Sequence, residues 1–361
     1  MQIGIVGLPY SGKTTFFQTL TETQLDLNAL QKKDANQAIV KVQDERLDKL
    51  TEIFNPKKKI NATIEIVDIA GVQKGDHSSS AFTSNFLNKV KTNDALIHVV
   101  RGFKDESVPH LEGSINMLRD IKTLEEEFLL ADMAFVENQL ERLEKDLKKQ
   151  KVKDAANKEK ELIINWNEAL QKEIPLREIE LSDEDQKLIK NYQPLTAKPL
   201  LIALNLDESD ISRSSDIVND ISNSFNGKNI RIEPFFAKIE MELMTLPPDE
   251  KNEFMADYGL NESPLSRMIR VAYSMLGLQS FFTVGEDECR AWTIRKGMNA
   301  QESAGVIHTD FYNKFIRAEV VGYNDFMTHG SFPKCKEAGV FRLEGKEYVL
   351  LDGDIMHIRH G

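Results

Sequence analysis

Short apolar runs alternate with helical patterns over the first part of the chain and again after residue 199. Each run is about as long as one strand, and the segments between runs carry apolar residues at helical spacing. This alternation is typical of an α/β domain in which helices cover a parallel sheet. The predicted strands are Gln2–Val6, Ala38–Val42, Thr63–Val67, Ala95–Val100, Leu200–Asn205 and Arg231–Phe236. The predicted helices are Gly12–Thr21, Asp44–Phe54 and Ala81–Thr92.

Between residues 116 and 194 the strand pattern gives way to a segment rich in Glu, Lys, Leu and Gln. Its apolar residues form two stripes at helical spacing, which predict two helices packed against each other as a hairpin. The stripes are Val136, Leu140, Leu143 and Leu147, and then Leu162, Trp166, Ala169 and Leu170. Because strands resume after Pro199, we expect the hairpin to be an insertion in the α/β domain.

A third pattern, of short strands separated by turns, begins near residue 278. It predicts a small, mostly β domain of about 80 residues. The predicted strands are Phe281–Val284, Ala291–Ile294, Phe315–Val321, Val340–Leu343 and Tyr348–Leu350.

Composition narrows the class of protein. The chain has 361 residues and a formal net charge of −12, so its bulk charge gives no support to nucleic-acid binding. Cys289 and Cys335 lack metal-ligand spacing, and we interpret both as reduced thiols. No apolar run approaches the roughly 20 residues that a membrane span needs, and no signal-peptide pattern opens the chain. We therefore expect a cytoplasmic protein.

A phosphate-binding motif directly follows the first predicted strand. Gly7, Gly12, Lys13 and Thr14 complete the pattern G-x-x-x-x-G-K-[ST], and a predicted helix follows. The backbone N–H groups of such a loop point at phosphates, the lysine neutralises them, and the hydroxyl after it ligates Mg²⁺. The predicted phosphate-binding set is Gly7, Pro9, Tyr10, Ser11, Gly12, Lys13, Thr14 and Thr15.

Two further segments fit the same nucleotide site. Asp68 ends a predicted strand in the pattern D-x-x-G, where it can hold Mg²⁺ through water while the Gly71 N–H senses the γ-phosphate. Asn205-Leu206-Asp207-Glu208 stands where GTPases carry Asn-Lys-x-Asp. The longer Glu208 carboxylate does not match the two-bond contact with guanine, which makes adenine a plausible base. The alternative for this stretch is a helix N-cap at Asp207 or Ser209.

These motifs, together with "AGVIHTDF", "FIRAEVV" and "KEAGVFRLEGKEYVLLDGDIMHIR", resemble the YchF/Obg-like ATPase family over almost the whole chain. The resemblance implies an α/β P-loop NTPase fold: an Obg-type nucleotide-binding domain at 1–277, interrupted by a coiled-coil hairpin at 116–194, and a β-grasp TGS domain at 278–361. It also implies ATP preferred over GTP through Asn205 and Glu208, with Leu206 and Ala237 in the nucleotide site. The ligands implied are ATP and Mg²⁺. The macromolecular partner implied is either the ribosome, through its large subunit, or RNA.

The resemblance further implies a catalytic histidine after the fourth strand, which falls on His110. Such a histidine would replace the water-orienting glutamine of small GTPases, where Val72 now stands. A surface histidine without a role is the alternative.

Both loops that sense the γ-phosphate depart from the family pattern. The loop before Val42 lacks the usual Thr-Ile-Glu-Pro segment and has Lys32 or a neighbour in the threonine position, and serines replace glycines after Gly71. These changes spare the residues that bind phosphates and fall on the loops that sense the γ-phosphate, so we expect nucleotide binding to be retained and turnover to be affected. The main prediction is a slow ATPase, monomeric and ribosome-associated; the alternatives are a non-hydrolysing adaptor and, more weakly, a GTPase.

Overall fold

The computed structural model describes residues 1–21, 36–69, 83–110, 113–148, 153–224 and 229–361. The chain forms two compact units: the first unit is Met1–Ala38 with Glu65–Met268, and the second unit is Ile39–Ile64 with Ile269–Gly361. The strands are β1 Gln2–Val6, β2 Asn36–Val42, β3 Lys58–Ile60, β4 Ala62–Asp68, β5 Ala95–Arg101, β6 Leu200–Asn205, β7 Ile230–Phe235, β8 Leu278–Thr283, β9 Glu288–Arg295, β10 Phe315–Gly322, β11 Arg342–Glu344 and β12 Asp354–His360.

The helices follow the same chain order. They are α1 Lys13–Thr21, α2 Glu45–Phe54, α3 Ser84–Lys91, α4 Met117–Lys148, α5 Lys153–Gln171, α6 Asp183–Tyr192, α7 Ser214–Ser222, α8 Ala237–Thr245, α9 Pro248–Asp257, α10 Pro264–Met275, α11 Ala300–Ile307, α12 Thr309–Asn313, α13 Tyr323–His329 and α14 Phe332–Glu337. Short 3₁₀ helices lie at Leu176–Glu178 and Glu208–Arg213. None of the described helices is both long and apolar enough to span a membrane.

A six-stranded sheet in the order β2-β4-β1-β5-β6-β7 organises the nucleotide-binding motifs. β1 pairs in parallel with both β4 and β5, and β5, β6 and β7 continue the parallel array. Every residue of β5 and of β6 is buried, as expected for central strands covered on both faces. Because the strands are parallel, the residues that follow β1, β5 and β6 emerge at one edge of the sheet. The predicted α/β fold is confirmed.

The predicted helical hairpin is also confirmed. α4 and α5 pack through a core that contains Val136, Leu143, Leu162, Trp166 and Leu170. The first turns of α4 belong to a different core, because Ile121, Leu124 and Phe128 pack with residues of the parallel sheet. The single helix α4 therefore packs against the parallel sheet at its start and against α5 further along.

A buried carboxylate fixes the point where the chain returns from the hairpin to β6. Asp132 of α4 is fully buried and accepts hydrogen bonds from Leu195 N at 2.9 Å and from Thr196 N and Oγ1 at 2.7 Å. Burial raises the pKa of the Asp132 carboxyl above its ordinary value, although the hydrogen bonds from Thr196 and Leu195 oppose the change.

The second unit contains a six-stranded mixed sheet in the order β11-β10-β12-β8-β9-β3. Our prediction of a mostly β domain was incomplete, because α11 to α14 also lie in this region. The predicted strand Tyr348–Leu350 is wrong: this segment makes only an isolated bridge, between Val349 and Asn299. Its backbone bonds go to separate partners, with Ala300 N donating to Tyr348 O and Leu350 N donating to Met298 O, so no ladder forms.

Candidate functional site

The phosphate loop joins β1 to α1 and requires glycine at two positions. Gly7 and Gly12 have φ angles of 150° and 94°. A Cβ atom on Gly7 would lie 2.4 Å from Val99 O, and one on Gly12 would lie 2.3 Å from Asn205 Nδ2. Tyr10 adopts a left-handed conformation with φ of 63°, which carries strain for a residue with a large side chain. The backbone is thus curled into the form that wraps phosphates.

Lys13 is folded back onto the loop. Its Nζ donates to Gly7 O and to Leu8 O, both at 2.8 Å. Burial lowers the Lys13 pKa to about 8, and the nearby negative charge of Asp68 limits the decrease. Burial also raises the pKa of the Asp68 carboxyl, while the charge of Lys13 opposes that change. Lys13 and Asp68 therefore form a pair of opposite charges beside the loop.

The donors available for Mg²⁺ suit an ion that also binds phosphates. Thr14 is exposed at the start of α1, and Asp68 ends β4 with 8% of its surface exposed. Within the residues that the structure describes, no cluster of three or more His, Cys, Asp or Glu side chains could hold a metal alone. One hydroxyl and one carboxylate are typical of Mg²⁺ sites completed by phosphate oxygens and water. Thr15 is half-buried in the first turn of the same helix.

Asn205 connects the phosphate loop to residues 205–208, which the sequence predicts to contact the base and which we call the base-reading segment. Its Nδ2 donates to Ser11 O at 3.2 Å, and its Oδ1 accepts a hydrogen bond from Ala237 N at 3.3 Å. Glu208 is half-buried at the start of the 3₁₀ helix, whereas Leu206 is 3% exposed and packs in the core of the first unit. The structure therefore brings Asn205, Ala237 and the phosphate loop together and directs Leu206 into the core.

His110 lies beside the phosphate loop. Its Nε2 is 3.0 Å from Asp120 Oδ2, and 10% of the His110 side chain is exposed. A small cavity is lined by His110 and Asp120 and by Leu8, Pro9 and Ser11 of the loop. Asp120 also pairs with Arg119 at 2.8 Å. His110 is thus largely buried and hydrogen-bonded to a carboxylate close to the phosphate loop, rather than exposed on the surface.

Sequence reasoning missed two residues of β5 that line the same cavity, His98 and Arg101. His98 is fully buried, and in the described part of the chain neither ring nitrogen has a hydrogen-bond partner. Burial, followed by the charge of Lys13, lowers the pKa of His98 to about 3. Two polar side chains in the apolar strand "ALIHVVR" were the available signal.

Several predicted residues lie outside the described residues. Gly71 and Val72 fall within 70–82, and Lys32 falls within 22–35. Their roles stay predictions from the sequence.

The fold and the loop together define the class: this is a P-loop protein with the fold of GTPase-type nucleotide hydrolases. A family model described as "50S ribosome-binding GTPase" matches residues 2–206, and one described as "Protein of unknown function (DUF933)", for the C-terminal region of YchF GTPases, matches 278–361. The ribosome-binding ATPase YchF of Bacillus subtilis is 43% identical over 360 residues, covering 99% of this chain and 98% of the relative.

More distant relatives match over similar lengths. Obg-like ATPase 1 of Caenorhabditis elegans is 33% identical over 99% of this chain and 92% of its own. The solved structure of the Schizosaccharomyces pombe YchF GTPase superposes with a TM-score of 0.86 at 33% identity, covering 99% of this chain and 97% of that one. The chain belongs to the YchF family, which confirms the resemblance in the sequence.

Proposed function

We propose that this protein is a Mg²⁺-dependent nucleotide-binding protein that prefers ATP to GTP and hydrolyses ATP slowly to ADP and phosphate. The observation that carries the proposal is the convergence of the phosphate loop with the His110–Asp120 pair on one cavity. Relatives named ribosome-binding ATPase support action at the ribosome. We further propose that the protein regulates translation or a stress response there.

Each residue of the site has a role in this mechanism. The loop amides and Lys13 bind the β- and γ-phosphates, and Lys13 exchanges its bonds to Gly7 O and Leu8 O for phosphate oxygens. Thr14 would hold Mg²⁺ directly and Asp68 would hold it through water; the ion would neutralise charge on the transferring phosphoryl group. His110 orients the attacking water, and its bond to Asp120 fixes the direction of the ring.

The base preference rests on the Asn205–Glu208 segment. Glu208 starts the 3₁₀ helix, and its acceptor oxygens suit the N6 amino group of adenine. We expect Glu208→Asp to shift the ratio of ATP to GTP dissociation constants toward GTP, by about tenfold for a difference of about 1.4 kcal/mol. An unchanged ratio, measured by equilibrium titration, would contradict a role for Glu208 in base selection.

We assign residues 1–277 to an Obg-type nucleotide-binding domain with a coiled-coil insertion at 116–194, and 278–361 to a β-grasp TGS domain that docks on the large ribosomal subunit or RNA. The family-model match over 278–361 supports a separate C-terminal domain. We further propose that the protein is cytoplasmic and monomeric.

A non-hydrolysing adaptor is the second candidate, favoured by one specific observation. His110 is largely buried and its Nε2 is bonded to Asp120, which also suits a purely structural role for this histidine. Single-turnover ATP hydrolysis separates the two candidates: the ATPase proposal predicts that His110→Ala slows hydrolysis while the ATP dissociation constant stays within about twofold. If the wild-type protein binds ATP and shows no turnover above Lys13→Ala, the adaptor is correct. A GTPase is the weaker alternative and predicts much tighter binding of GTP.

A further inference from the structure

The loop of residues 102–110, which ends in His110, is held from within by one arginine. Arg101 is the last residue of β5 and is 4% exposed. Its guanidinium group donates to the carbonyl oxygens of Phe103, Asp105, Val108 and Pro109 at 2.9 to 3.3 Å. The guanidinium carbon also lies 4.6 Å from the centre of the Phe103 ring. One planar, always-charged group therefore determines the course of the loop from its start to the residue before His110.

The start of the same loop is attached to the base-reading segment. Gly102 N donates to Asn205 O at 2.8 Å, and Lys104 N donates to Asp207 Oδ2 at 2.8 Å. A Cβ atom on Gly102 would lie 2.6 Å from Leu206 Cδ2 and 3.2 Å from Asn205 O, so a side chain at this position would collide with the segment. The loop thus contacts three consecutive residues of the segment that ends in Glu208.

The side chain of Asp207 does not make the N-cap hydrogen bond that was the alternative interpretation of this stretch. Asp207 does occupy the N-cap position of the 3₁₀ helix. The carboxylate is directed to the Lys104 amide instead. An ionised acceptor on a backbone N–H makes a stronger bond than a neutral one, which suits a fixed attachment point.

We propose that Arg101 and Asp207 are positioning residues that make the loop 102–110 a rigid link between the base-reading segment and His110. A purine base bound at Asn205–Glu208 then sets the position of His110 through Asp207, the loop and Arg101. The nucleotide base therefore affects the hydrolysis rate as well as the affinity. The catalytic consequence rests on the proposed role of His110, whereas the mechanical link does not.

Asp207→Ala tests the link at its attachment to the base-reading segment. The matched control is Asp210→Ala on the same 3₁₀ helix, because Asp210 pairs with Arg213 and not with the loop. We expect Asp207→Ala to lower kcat for ATP by about tenfold, since small displacements of a catalytic group are costly. The ATP dissociation constant should stay within about twofold, and Asp210→Ala should change neither quantity.

Arg101→Lys tests the other end of the link, because lysine keeps the charge but cannot reproduce the planar fork of donors. We expect a similar loss of kcat, with a thermal unfolding midpoint close to that of the wild type. In a His110→Ala background, neither Asp207→Ala nor Arg101→Lys should cause a further loss. A full additional loss in that background would overturn action through His110.

Amide hydrogen exchange reads the link without reference to catalysis. ATP binding should increase protection of the amides of residues 102–110 in the wild type and in Asp210→Ala, and much less in Asp207→Ala. If the protection is the same in all three proteins, the link does not exist. If protection is lost in Asp207→Ala while His110→Ala leaves hydrolysis unchanged, the link stands and the catalytic role of His110 is refuted.

Discussion

The buried imidazole of His98 makes the stability of the first unit depend on pH, and His98→Leu should remove that dependence. His98 sits within β5, every residue of which is buried, and its folded pKa is about 3 compared with an ordinary value of 6.5. The cause is burial, with a smaller contribution from the charge of Lys13. Between about pH 3 and pH 6.5 the folded protein therefore keeps His98 neutral, whereas the unfolded chain protonates it.

The magnitude follows from the two pKa values. Above pH 6.5 neither state protonates His98, and its full contribution to stability is present. As the pH falls below that value, the unfolded state gains a proton that the folded state rejects, so the free energy of unfolding decreases until the folded pKa is reached. At about pH 5 the expected decrease is about 2 kcal/mol, taking about 1.4 kcal/mol for each pH unit.

Urea unfolding at neutral pH and at about pH 5 measures this contribution. The chain has two tryptophans, so Trp292→Phe leaves Trp166 of α5 to report on the first unit. The pH-dependent loss of stability should be about 2 kcal/mol larger with His98 present than in His98→Leu, because all other titrating groups cancel in the comparison. The control is His357→Gln, because His357 is exposed; this variant should show the same pH-dependent loss of stability as the wild type. An equal loss with and without His98 would refute the claim that burial keeps the ring neutral.

Three further predictions concern single side chains of the first unit. At about pH 8, ATP binding should be accompanied by uptake of roughly half a proton, because the bound phosphates raise the Lys13 pKa from about 8. Calorimetry in two buffers of different ionisation enthalpy should show this proton uptake, and Lys13→Met should abolish the uptake. Asp132→Ala should destabilise the unit by about 3 kcal/mol in urea unfolding, because it leaves the buried amide of Thr196 unpaired. Tyr10→Asn should raise stability by about 0.5 to 1 kcal/mol in the same assay, because asparagine tolerates the left-handed conformation better.

The spacing of apolar residues along the chain predicted those strands and helices whose residues contact near neighbours in the sequence or pack into one hydrophobic core. The bounds of β1 and β6 agree with the prediction, because their apolar runs are limited by polar or turn residues. The stripe through Val136 and Leu143 predicted the hairpin core for the same reason. The glycines and Lys13 predicted the phosphate loop, since that motif is contiguous in the chain.

Long-range contacts with backbone atoms could not be predicted in this way. Arg101 acts on four carbonyl oxygens, and Asp207 acts on the Lys104 amide, so no complementary side chain in the sequence indicates either role. The segment Tyr348–Leu350 has the composition of a strand, but its backbone partners are scattered. The inclusion of Ile39–Ile64 in the second unit likewise depends on contacts distant in sequence.

Phosphate release from ATP, and from GTP in parallel, with and without ribosomes, tests the central claim most directly. Lys13→Ala serves as the blank, because it removes the charge that we propose to stabilise the transferring phosphoryl group. The account predicts slow ATP turnover above the blank, faster than GTP turnover and increased by ribosomes. ATP binding without any turnover above the blank, in the presence or absence of ribosomes, would contradict the claim that the phosphate loop and His110 form a working ATPase.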